Sequence, residues 1–309
     1  MSDMAITRRI RFLWLLLLIV SSASLCADGP MIVIIISSEA QAYKQVAKNF
    51  ETELQKKHPE VQFVEIFSSN VGEELALLKD RQPRLVFALG SDAVRKGRKQ
   101  LTDQPMLATM ILGDNSLQGS PNATAITLDM PITKQLRVYK KILPAAKRIG
   151  VLYNPKNNQK WINKAKKIAT KFGLEIVAVK VESPREISSA LKSLNHRVDS
   201  ILAIPDKMVY SSNTAKAVLL FSFRHRIPFV GLSSAWVKAG ALYALDWDYS
   251  DLGRQSANTA LKILDGIKPE KIKLAVPAKS VYQLNLKTAK RMKLKINQKI
   301  ISAAEKVYE

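Results

Sequence analysis

Five carboxylates and a set of small hydroxyl or amide side chains stand at the ends of short apolar runs. They are Ser37 and Ser38, Ser91 and Asp92, Asp114, Asn154, Asp206, Ser233 and Ser234, and Asp246 and Asp248. Paired carboxylates can do acid/base work or neutralise a cation. Hydroxyls at helix starts, with the free backbone N–H groups there, can bind an anion. Each alone is also an ordinary helix cap; their recurrence at matching places in two halves of the chain points to a binding site. Nucleophilic, phosphate, dinucleotide and zinc chemistry leave the spacings Gly-x-Ser-x-Gly, the P-loop, Gly-x-Gly-x-x-Gly and His-Glu-x-x-His, and none occurs here. His58, His196 and His225 fall near helix ends or turns, away from that set. No catalytic residue, metal or cofactor is therefore expected, and the chain is read as a binding protein and not an enzyme. Ser37, Ser38 and Ser91 with their following amides would hold a carboxylate. Asp206, with Asp246 or Asp248, would neutralise an ammonium. Tyr210, Trp236, Tyr243 and Trp247 are candidates to stack on an apolar or aromatic group.

The elements that carry these residues repeat one plan. Met31–Ser37 is a near-continuous apolar run, as a buried parallel strand requires. Residues 39–57 then place Ala42, Val46, Phe50 and Leu54 at helical spacing, and Val61–Phe67 reads as a second strand. The second half opens alike: a strand over Arg148–Asn154, a helix over 157–172 with Trp161, Ala165, Ile168 and Phe172 on one face, and a strand over Leu174–Val181. Runs at 84–90 and 105–112 are matched by runs at 199–204 and 227–232. Each half thus alternates strands and helices around a parallel sheet, giving an α/β chain of two Rossmann-like lobes. Ligands of such sheets bind outside the carboxyl ends of the strands, which is where the polar set falls.

The chain has 309 residues, enough for two domains, and its 47% hydrophobic and 24% charged composition is that of a folded protein. One cysteine, Cys26, excludes a disulfide framework. Residues 1–27 run from Arg8, Arg9 and Arg11 through the apolar stretch Phe12–Val20 to small residues around Ala23 and Ala27, the pattern of a secretory signal peptide. Leu25 is too bulky for a good lipobox, so a lipid anchor on Cys26 is the lesser alternative. Removing residues 1–27 takes away three Arg and one Asp and turns the net charge of +22 into +20. Export to the periplasm separates this basic chain from nucleic acid, which is not expected as a partner. Lysines such as Lys164, Lys166, Lys167 and Lys171, or Lys287, Lys290, Lys293 and Lys295, read as a solvated outer face, with attraction to an anionic ligand or membrane the weaker option.

The segments Lys147–Pro155, Pro228–Leu242, Asp248–Gln255 and Asn285–Lys290 together strongly resemble the ABC-type substrate-binding proteins, the family that includes tryptophan and aromatic-amino-acid binders. The resemblance covers residues 31–295. It implies a type I periplasmic-binding fold, with a signal peptide over 1–27, one lobe over 28–146 plus 249–279, and the other over 147–248 plus 280–309. Three hinge crossings would fall near 144–148, 246–250 and 277–281. It also implies that Ser91, Asn154, Asp206, Ser233 and Asp248 align with polar cleft or hinge positions. Two departures bear on the ligand. The usual Thr-Asp-Pro after the fourth strand is Gly113-Asp114-Asn115 here, and the usual Tyr-Gly before the hinge is Leu245-Asp246, which adds a carboxylate. The expected function is the solute-binding component of an ABC importer, a monomer that captures a small polar ligand, such as an amino acid, for a permease in the cytoplasmic membrane. The alternative is a sensory partner of a membrane receptor that does not transport.

Overall fold

The computed structural model describes residues 29–78, 81–113, 117 and 121–309, with the side chains of 75–77 excepted. The expected signal peptide, Cys26 and Asp114 lie outside the described residues. The chain divides into two compact units. The first takes the described residues of Met1–Thr109, Asn115–Ala125 and Ser256–Lys273, and the second those of Met110–Asp114, Ile126–Gln255 and Leu274–Glu309.

The first unit is built on five strands: β1 (Met31–Ile36), β2 (Gln62–Phe67), β3 (Leu85–Leu89), β4 (Met106–Thr109) and β5 (Ala123–Ile126), whose last residue falls in the second unit. They lie in the order β2-β1-β3-β4-β5, and β1 is parallel to both β2 and β3. Every residue of β1 is buried, as its unbroken apolar run demands of a strand covered on both faces. The helix Gln41–Gln55 buries Val46, Ala47, Phe50 and Leu54, and Phe50 stacks on Phe87 of β3 with ring centroids 4.0 Å apart. Val46, Phe50 and Leu54 each contribute about 1.5–3 kcal/mol by leaving water. Gly90, at the end of β3, has φ +97°, and a Cβ there would lie 2.7 Å from Ser37 Oγ. Glycine is thus required both by the backbone and by the space.

The second unit carries seven strands: β6 (Arg148–Tyr153), β7 (Glu175–Lys180), β8 (Ser200–Leu202), β9 (Phe229–Gly231), β10 (Tyr243–Trp247), β11 (Ser280–Asn285) and β12 (Lys306–Tyr308). Their order is β12-β11-β10-β9-β8-β6-β7. All observed pairs are parallel except β10 with β11. The strand and helix expected over 148–154 and 157–172 appear as β6 and the helix Pro155–Thr170. The helix starts earlier than expected because Asn154 caps it and Pro155, which has no N–H to lose, opens its first turn. The helix Ile132–Ile142 is fastened to β8 by Tyr139, whose hydroxyl lies 2.6 Å from Ser200 Oγ in the core.

Candidate functional site

A cavity of about 850 Å³ opens in the second unit at the carboxyl ends of β8, β9 and β10, and every described residue that lines it belongs to that unit. Its floor is the end of the parallel sheet, with Leu202, Ala203, Gly231 and Leu232. One wall is the first half of the helix Pro155–Thr170. Asn154 Oδ1 accepts the Lys156 N–H at 2.9 Å, and the helix started in this way carries Asn158 and Trp161, three residues apart, to the cavity. The opposite wall is the end of β10 with Leu245, Asp246 and Trp247. Trp247 donates its indole N–H to the Leu128 carbonyl at 3.0 Å, which fixes the segment Leu128–Pro131 as the rim.

Among the described residues of the predicted polar set, Asp246 is the one that lines this cavity. Its Oδ1 accepts both the Trp247 N–H and the Tyr249 hydroxyl at 2.8 Å, and Oδ2 takes no hydrogen bond from the described residues. Burial pushes its carboxyl above the ordinary carboxylate range, although the two hydrogen bonds act against that shift. Such a carboxylate is under-compensated and would gain from a cation. Lys164 supplies the cavity's positive charge and Asp129 a second carboxylate. Asp129 is already committed, since its Oδ2 accepts the Gly113 N–H at 2.8 Å.

The other predicted residues are placed as follows. Asp206 sits buried beneath the cavity edge formed by Pro205. Its Oδ2 accepts Asn154 N–H and Asn158 Nδ2 at 2.9 Å, and its Oδ1 accepts the N–H groups of Met208 and Val209 at 3.1 and 3.2 Å. The carboxylate thus holds the loop after β8 to the start of the helix after β6, and positions Asn158. Ser233 and Ser234 open the short helix Ser234–Ala239 beside Leu232 and are half-buried. Asp248 caps the helix Tyr249–Leu264, accepting the Asp251 N–H at 2.9 Å.

Ser37, Ser38, Ser91 and Asp92 belong to the first unit and are not brought to this cavity. Ser37 Oγ accepts the Ala93 N–H at 2.9 Å and Ser38 Oγ the Ala40 N–H at 3.2 Å. Asp92 pairs with Arg95 and with Lys96 at 3.2 Å. A hydrogen bond from Ser68, and then those of Lys96 and Arg95, hold its carboxyl below the usual range.

Among the aromatic candidates, Tyr243 and Trp247 line the cavity. Tyr210 and Trp236 pack instead in the core with Phe229, Trp236 at 5.3 Å and Tyr210 at 6.1 Å between ring centroids. Burial pushes the Tyr210 hydroxyl well up, and it donates to the Leu152 carbonyl at 3.3 Å. Trp161, Asn158 and the Leu128–Pro131 rim were not foreseen as site residues. Trp161 falls on the apolar stripe of its helix, and the stripe continues past the core into the cavity. Among the described residues no group of three or more His, Cys, Asp or Glu could hold a metal, and no helix is long and apolar enough to cross a membrane.

Residues 65–308 match the family model of ABC transporter substrate-binding proteins. The chain belongs to that family. Family members bind a substrate rather than transform it. The chain is 24% identical over 230 residues to a tyrosine-binding protein of Clostridioides difficile (strain R20291), covering 72% of this chain and 63% of that relative, somewhat under two thirds of its length. In three dimensions it is similar to a substrate-binding protein with adhesive properties from Clostridium difficile, solved ligand-free and open. The TM-score is 0.76 at 20% identity, over 90% of this chain and 99% of the other. It is likewise similar to an ABC domain solved with L-Trp from Streptococcus pneumonia, with TM-score 0.64 and 21% identity over 90% and 99% of the two chains. The family and these likenesses give the fold as the type I periplasmic-binding fold, with two α/β units and mainly parallel sheets.

Proposed function

We propose that this protein is the extracytoplasmic solute-binding component of an ABC importer, and that it captures an amino acid or closely related compound. It would act as an exported monomer that passes its ligand to a permease in the cytoplasmic membrane, without chemical change. The observation that carries the ligand class is Asp246, an under-compensated carboxylate in a cavity walled by Trp161, Tyr243 and Trp247. A carboxylate in apolar surroundings selects an ammonium, and indole faces favour an aromatic or apolar side chain. The cavity volume lies within the roughly 300–1,000 Å³ usual for small-molecule sites. The tyrosine-binding relative and the L-Trp complex support the same class. Calorimetric titration with amino acids, sugars and inorganic anions tests it. Saturable binding of an amino acid is expected, and binding confined to sugars or anions would overturn the reading.

A further inference from the structure

A second surface of this protein is organised by charge. Between Leu286 and Lys306 the chain carries seven cations, Lys287, Lys290, Arg291, Lys293, Lys295, Lys299 and Lys306, against one carboxylate, Glu305. The structure sorts this segment cleanly. Leu286, Leu294, Ile296, Ile300, Ile301 and Ala304 pack against the core of the second unit, while all seven cations are exposed. In the helix Leu286–Arg291, Thr288 and Ala289 are buried, and Lys287, Lys290 and Arg291 share the outer side at i, i+3 and i+4. Lys293 and Lys295 alternate outward with Leu294 and Ile296. Lys306 begins the sheet's edge strand β12 and lies over the Tyr308 ring at 5.1 Å. Among the described residues none of the seven forms an ion pair. Lys287, Lys290 and Arg291, like charges at helical spacing, repel one another, and an external anion would relieve that repulsion.

We propose that this exposed, cation-rich segment docks on the anionic phospholipid surface of a membrane. Cations held outward on a segment whose apolar residues are packed can meet lipid phosphates, to which each Lys or Arg adds attraction that fades within a Debye length. Docking would keep the protein near membrane-embedded partners, whichever ligand it carries, and is independent of the cavity.

The test is co-sedimentation of the protein recovered after export with phosphatidylglycerol-rich vesicles and with pure phosphatidylcholine vesicles. One variant carries Lys287→Gln, Lys290→Gln, Arg291→Gln, Lys293→Gln, Lys295→Gln and Lys299→Gln. A second, of equal charge, carries Lys156→Gln, Lys160→Gln, Lys166→Gln, Lys167→Gln, Lys171→Gln and Lys192→Gln, all at exposed positions. The wild type is expected to bind only the anionic vesicles, and to release them at about 1 M salt, where the Debye length is ~3 Å. The first variant should lose at least ~10-fold in affinity and the second much less, with both keeping the wild-type circular dichroism. Equal losses in the two variants, equal binding to the neutral vesicles, or no binding to the anionic ones would each overturn the proposal.

Discussion

The Asp206 carboxylate accepts the backbone N–H of Asn154, 52 positions earlier in the chain, at 2.9 Å. With this bond the loop after β8 is pinned to the start of the helix after β6, and the same oxygen takes Asn158 Nδ2. A residue that looks like a ligand carboxylate is here the part that shapes the wall next to it.

Asp206→Ala should therefore act first on the fold. It leaves three backbone donors without their acceptor and Asn158 Nδ2 with the Pro205 carbonyl alone, at a cost of about 3 kcal/mol. Urea unfolding should show a lower midpoint with an unchanged slope. A variant as stable as the wild type would mean the bonds contribute nothing net.

Asp246 should behave in the opposite way. Burial raises its carboxyl, so the fold favours the protonated form. The stability it brings is complete below its ordinary value of 3.8 and is lost as pH rises through the raised one. Asp246→Asn removes that loss, so at pH 7 the unliganded variant should melt no lower than the wild type. Any advantage should disappear in acid, below the ordinary carboxylate value. Thermal unfolding across pH reads this directly, and a lower midpoint for the variant at pH 7 would contradict it.

These two aspartates show what could be read from the sequence. Apolar runs such as Met31–Ser37 and the helical spacing of Val46, Phe50 and Leu54 fixed the α/β class, because burial on both faces of a strand and one face of a helix leaves that imprint. The strand ends came with them, whereas the helix after β6, expected from 157, starts at Pro155 because Asn154 caps it. Which carboxylate turns to a cavity and which to a neighbouring loop depends on contacts between residues far apart in the chain, and composition carries no trace of that. Asp206 and Asp246 both follow apolar runs, yet one is fully hydrogen-bonded and the other is not. Trp161 escaped for a related reason: an apolar stripe looks the same whether it meets the core or a ligand. The antiparallel pairing of β10 with β11 was also hidden, since pairing direction leaves no period in the sequence.

Trp161→Leu keeps apolar volume and removes the indole face. Affinity for an aromatic amino acid should fall roughly 3–10-fold, as the loss of one aromatic contact implies. Affinity for an aliphatic ligand should change little. Parallel titrations separate these cases, and equal losses for both ligands would assign Trp161 to packing alone.

Gly90→Ala tests the first unit. The φ of +97° and the 2.7 Å approach to Ser37 Oγ both oppose a side chain. A loss of about 2 kcal/mol in folding stability is expected. Chemical denaturation measures it, and a neutral substitution would show that the strand end relaxes freely.

In the proposed function Asp246 holds the ammonium of an amino-acid ligand. Calorimetric titration of the wild type and of Asp246→Asn with tyrosine, tryptophan and other amino acids tests it most directly. The wild type should bind one of them saturably, and the variant should bind it at least ~10-fold more weakly, the loss of one charge-assisted hydrogen bond. Undiminished affinity in the variant, or a wild type that binds no amino acid, would rule out Asp246 as the ammonium partner.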